Sequence, residues 1–193
     1  MNRHVVTLAA LISCGCPALA QIGNPAGMGA DTRMTEPGVP APHQTNNQDR
    51  LFAQLAAAGG LAEVEFGQMA VAKAKDDAVK EFANMMVRDH TDANGKLKAL
   101  SDDAKIPLPD ELDPDHAAAR DRLEKLSDRS YDVAYIKTQI VDHQKMAQLL
   151  AWEISMGEDA EMQRFAAATL PIVLHHLHRA QEIQAALTGA AMR

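Results

Sequence analysis

From residue 49 to residue 187 the apolar side chains recur at three- and four-residue intervals in four separate stretches, and no segment alternates with period two. That spacing buries one stripe of an α-helix and gives a sheet no face to bury. Long helices are predicted over about 49–75, 76–105, 128–156 and 158–187. A shorter one is expected over about 114–126, with Pro114 suited to a first turn. Ile106-Pro107-Leu108-Pro109 ends the second helix, because each proline lacks a donor and restricts the residue before it. Gly157 is expected to cap the third long helix, and Pro171 to kink the fourth. Four long helices with short connections make an all-α, antiparallel four-helix bundle, with the extra helix between the second and third long ones.

Each of three stripes carries a histidine where an apolar residue would ordinarily sit. The second long helix reads Val79, Ala83, Met86, His90, Ala93, Leu97, Leu100. The third reads Val133, Ile136, Ile140, His143, Ala147, Leu150, Ile154, and the fourth Met162, Phe165, Thr169, Ile172, His176, Ile183. An inward polar group needs a partner to offset its lost hydration, so three at one depth point to a polar centre. The first helix offers two seams: Phe52, Ala56, Gly59, Glu63, Phe66, Ala70, or Leu51, Leu55, Ala58, Ala62, Glu65, Met69. Periodicity does not choose between Glu63 and Glu65. Either choice gives one carboxylate and three imidazoles from four helices, donors suited to one divalent transition metal such as zinc, iron, copper or manganese. The alternative is a structural or interaction module, without a cofactor, whose buried histidines only organise the core.

Asp89 and Asp142 each precede a histidine, and each is placed to orient a ring on a neighbouring helix. His116 lies on the short helix, with a capping role or an alternate place at the centre. His175 and His178 fall off the seam and read as surface residues, while Met85, Met86 and Met146 read as packing. The run Ala56-Ala57-Ala58-Gly59-Gly60 permits a close helix approach.

The first twenty residues have Arg3, a short apolar core and Ala18-Leu19-Ala20, the pattern of a cleaved secretory signal. Leu11-Ile12-Ser13-Cys14 also resembles a lipobox, so a lipoprotein anchored through Cys14 is the alternative to a free periplasmic protein. Both cysteines, Cys14 and Cys16, lie here, so cleavage after Ala20 leaves no thiol for catalysis or metal binding. Residues 21–48 are rich in Gly and Pro and read as a flexible tether; 188–193 read as a tail. No other stretch suits a transmembrane helix. Lys and Arg number 19 against 26 Asp and Glu, a net charge of −7, which repels nucleic acid; aromatics at 4% offer bases little to stack on. With no Gly-rich phosphate loop and no G-x-S-x-G turn, a non-enzymatic role is favoured.

Several ordered motifs carry a family resemblance. Gly59-Gly60-Leu61-Ala62-Glu63-Val64-Glu65-Phe66-Gly67, Phe82-Ala83-Asn84-Met85-Met86-Val87-Arg88-Asp89-His90, and Leu112-Asp113-Pro114-Asp115-His116 are three. Tyr131-Asp132-Val133-Ala134-Tyr135, Val141-Asp142-His143, and Thr169-Leu170-Pro171 with His176-Leu177 complete the set. Across about 49–187 the chain resembles the bacterial domain-of-unknown-function family 4142. The resemblance implies an exported, ferritin-like bundle, favours Glu63 as the inward glutamate, and carries His90, His116, His143 and His176 as motif positions. A role in envelope stress or metal handling follows as an expectation. A di-iron oxidase would need Glu three residues before its histidines, where this chain has Val87, Ile140 and Val173.

Overall fold

A computed structural model of the chain describes residues 46–189 as five helices, with no strand among them. The leader with Cys14 and Cys16, the tether up to residue 45 and residues 190–193 lie outside the described residues. Helix α1 spans Asn47–Lys73, α2 Asp77–Asp103, α3 Pro114–Glu124, α4 Asp128–Met156 and α5 Ala160–Gly189. The last three residues of the expected tether therefore cap and open α1. Side-chain oxygens of Asn46, Asp76, Asp113 and Asp159 accept the first free N–H groups of α1, α2, α3 and α5. At the end of α2, Lys105 turns left-handed (φ 56°) and the Ile106 N–H donates back to the Ser101 carbonyl at 2.8 Å. That wrap seats Ile106 in the core before Pro107.

Two apolar clusters give the helices their directions. Phe52, Leu97, Leu150 and Met162 pack at one end, and Phe66, Val79, Tyr135 and Ile183 at the other. Hence α1 and α5 run one way, α2 and α4 the other. Helix α1 neighbours α2 and α4, and α5 neighbours the same two, so every adjacent long pair is antiparallel. Since α2 and α4 share a direction across the diagonal, the segment between them must travel back along the bundle. The connection expected to be short is this crossover, which lays α3 against α1 and α4. One such crossover gives a ferritin-like bundle.

Glycines let α1 approach α2 closely. A Cβ on Gly60 would overlap Asn94 Oδ1, and one on Gly67 would lie 2.8 Å from Val87 Cγ2. On α1 the buried seam is Phe52, Ala56, Glu63, Phe66 and Ala70, while Leu51 and Leu55 are exposed. On α5 the expected Ile172 is 46% exposed, and Val173, at 1%, takes the inward place. Three- and four-residue steps back from His176 reach either residue; packing selects the one in line with Met162, Ala166 and Ala180. The helix is continuous through Pro171.

Where α1 begins and α4 meets α5, Asp49, Glu153 and Asp159 are all buried. Asp49 Oδ1 accepts the Glu158 N–H at 2.9 Å, but no N–H reaches Asp49 Oδ2 or either Glu153 oxygen. Burial first, and then the Asp49 carboxylate, pushes Glu153 up to about 9; burial pushes Asp49 up to about 6. Two carboxyl groups so placed hold a proton between them.

A raised folded pKa means that the folded chain binds more protons than the unfolded one, so this end loses stability as pH rises from 4.5 toward about 9. Glu153→Gln should therefore raise the unfolding free energy from urea titration at pH 8, by roughly 1–2 kcal/mol, and leave it unchanged at pH 4. Gly67→Val, which must push Val87 aside, should lower that free energy at both pH values by about 1–3 kcal/mol.

Candidate metal centre

Midway along the bundle one polar side chain enters from each long helix: Glu63 from α1, His90 from α2, His143 from α4 and His176 from α5. All four are buried. The imidazole centroids are 5.4 to 5.5 Å apart in each pairing. One ligand nitrogen from each ring lies within 4.8 Å of the others, and this is the one such group of metal-ligating side chains among the described residues.

The outward hydrogen bonds decide what faces the centre. His143 Nδ1 lies 2.9 Å from the Gln139 carbonyl oxygen, an acceptor, so Nδ1 carries the proton and donates. His176 Nε2 lies 3.0 Å from Asp89 Oδ2 and donates in the same way. The remaining nitrogens, His143 Nε2 and His176 Nδ1, then confront each other as lone pairs at 3.4 Å. His90 Nε2 is buried with no partner at all. Beside them, Glu63 Oε1 is 3.5 Å from His143 Nδ1, and Glu63 Oε2 is buried without a donor.

Protons do not fill this arrangement near neutral pH. Burial, and next the neighbouring rings, pulls His90 down to about 3; burial, and then His176, pulls His143 down to about 4. Burial also lowers His176, against the opposing pull of Asp89. Burial, followed by the charge of Asp142, pushes Glu63 up to about 8. The centre thus holds three neutral imidazoles and a carboxyl group that a nearby positive charge would ionise. Two ligands on a tetrahedral ion at roughly 2.1 Å stand about 3.4 Å apart, which matches the His143–His176 gap. The residues present fit a metal.

Other expected residues divide. Glu65 points away from the centre and pairs with Arg120 at 3.5 Å. Asp89 orients a ring on a neighbouring helix, as anticipated. Asp142 forms its ion pair with Lys145, at 3.6 Å, and hydrogen-bonds none of the three rings. His116 is bonded to Asp113 and packs near Phe66, outside the trio. His175 is exposed, and exposed His178 pairs with Glu182. Met86 is core, whereas Met146 lines a cleft that reaches His143. Sequence reasoning missed Gln139, whose carbonyl sets the His143 tautomer; its place four residues before His143 was the available signal.

The model of the domain of unknown function DUF4142 matches residues 34–183. The chain belongs to this family. No curated protein matches it in sequence. Among solved structures, the DUF4142 bundle is similar to a DUF305 fragment from Deinococcus radiodurans, with a TM-score of 0.66 at 13% identity. That likeness covers 75% of this chain and 98% of the other. It is also similar to CopM in an Ag-bound form, with a TM-score of 0.58 at 18% identity over 69% of this chain and 93% of that one. These likenesses show a shared fold.

In the metal-free DUF4142 bundle, lowered folded pKa values mean that the unfolded chain binds protons first on acidification. The three rings therefore contribute stability that is full above 6.5 and declines as pH falls toward about 3. Thermal unfolding in chelator should show that decline, and the triple variant His90→Gln, His143→Gln, His176→Gln should flatten it.

Proposed function

We propose that this DUF4142 protein is an exported, non-enzymatic bundle that binds one divalent transition metal through His90, His143 and His176, with Glu63 as fourth donor. The observation that carries this reading is the approach of His143 Nε2 and His176 Nδ1 to 3.4 Å in a buried site, with the outer nitrogen of each ring already against an acceptor. Neutral nitrogens in that position repel unless a cation lies between them. Asp89 holds the His176 ring and raises its basicity, a role that carboxylates play behind metal-bound histidines. Asp142 stands outside the ligand set, paired with Lys145. Imidazole-rich donors suit zinc, copper or iron over magnesium or calcium. A neighbour of the same fold crystallised with silver, CopM, lends the reading general support. Metal handling in the cell envelope is the role consistent with a signal-bearing chain, free in the periplasm or tethered through Cys14.

Isothermal titration of the metal-free full chain with Zn(II) tests this directly. One equivalent should bind, with the melting temperature rising as metal saturates the site. Asp89→Asn should weaken binding about 10- to 100-fold at unchanged stoichiometry. The triple glutamine variant should bind nothing. Equal binding by wild type and triple variant would leave the alternative, a core organised by histidines alone.

A further inference from the structure

The trihistidine centre lies between two clefts on opposite sides of the bundle. One, of about 450 Å³, follows the α1/α4 seam beneath the start of α3, and Glu63, His90, His143, Asp142 and His116 line it. The other, of about 540 Å³, follows the α2/α5 seam and is lined by Asp89, Asp92, Glu161, His90 and His176. His90 borders both, so the centre is a partition that an ion can approach from either side.

The two approaches differ in how their acids are occupied. On the α2/α5 side Asp89, Asp92 and Glu161 each have a cationic partner; exposed Asp103 also lines this cleft, but thirteen residues along α2 from His90. Arg88 Nε lies 2.8 Å from Asp89, Lys96 Nζ lies 2.7 Å from Asp92, and Arg164 pairs with Glu161. Asp89 is also committed to His176. On the α1/α4 side, Asp142 has only Lys145, at the longer distance of 3.6 Å, and Glu63 Oε2 has no partner. Glu63 is 5% exposed and sits against His143, while Asp142 is 14% exposed, so the two mark successive depths. The charge of Asp142 is felt at Glu63, and that of His116 at Asp142, which makes them neighbours along one path. A weakly paired carboxylate such as Asp142 in a low-dielectric cleft concentrates cations at its mouth.

Resting on the metal-binding reading, we infer that divalent cations reach the trihistidine centre through the α1/α4 cleft, drawn in by Asp142 and passed inward by Glu63. The α2/α5 cleft is then the closed side, its acids nearest the centre, Asp89 and Asp92, being neutralised by arginine and lysine. Asp142 is an entry residue, not a ligand of the bound ion. Its removal should alter how fast metal arrives without altering the complex that forms.

Stopped-flow mixing of the metal-free full chain with Co(II), followed by its visible absorption, reads both quantities. At low salt, Asp142→Asn should slow association about 3- to 10-fold, with a weaker dependence on ionic strength. Its final spectrum and one-to-one stoichiometry should equal those of the wild type. Lys145→Gln, which frees Asp142 of its partner, should accelerate association, a direction that a folding defect does not produce. Asp92→Asn should leave the rate unchanged. Wild-type rates in both Asp142→Asn and Lys145→Gln, or slowing by Asp92→Asn equal to that by Asp142→Asn, would overturn the entry route. Absence of a one-to-one Co(II) spectrum in the wild type would instead overturn the metal-binding reading beneath it.

Discussion

His143 and His176 have committed their outer nitrogens, one to the Gln139 carbonyl and one to Asp89, so their inner nitrogens can offer only lone pairs. Burial then keeps protons off the rings, because charging an imidazole in an apolar interior forfeits its hydration. Neither condition alone would define the centre. Solvent-exposed rings would protonate or bind water, and buried rings without fixed tautomers could hydrogen-bond each other. Together they leave a space bounded by like dipoles that a cation satisfies, and Glu63 places a carboxyl group beside the outer nitrogen of His143. The surrounding apolar clusters, one at each end of the bundle, keep that space at middle depth and away from the helix ends.

The packing that closes one seam opens another. Gly60 and Gly67 bring α1 close to α2, and α4 and α5 associate as a second close pair. The two pairs then meet along the α1/α4 and α2/α5 seams, where the clefts lie. Access to the buried centre is thus a consequence of which residues are small. The crossover adds asymmetry by laying α3 over only one of those seams and placing Asp113 and His116 at that mouth.

Helix positions were legible because a long amphipathic stripe repeats its signal many times. The three histidines were legible because each interrupts such a stripe. Glu63 and Glu65 were not separable on that basis, since the small residues of α1 furnish two acceptable seams. Ile172 and Val173 posed the same ambiguity on α5. The two Asp-His pairs looked equivalent in sequence, yet Asp89 meets a ring across the helix interface while Asp142 meets Lys145 and a cleft. That difference depends on which neighbour each helix faces, a property of the crossover topology. Glu153 lies on the His143 and Leu150 stripe at seven- and three-residue steps, so its burial was readable. Its partners Asp49 and Asp159 come from distant segments and were not.

The position three residues before a bundle histidine is where a di-iron protein places its bridging glutamate. Here that position on α2 is Val87, and its Cγ2 fills the space that a Cβ on Gly67 would enter. A glutamate at 87 would have to occupy the α1/α2 contact that holds the close pair together. On α4 and α5 the equivalent places are Ile140, packed against the core, and buried Val173. The bridging sites are therefore taken by packing. On the metal-binding reading, the bundle retains three imidazoles for a single ion, with Glu63 beside them and no bridging carboxylate to link a second ion. Burial of a divalent charge would then be offset by ionisation of Glu63 and by Asp89 behind His176. The same economy of charge accords with Asp142 lying in the cleft beside Lys145 instead of at the centre.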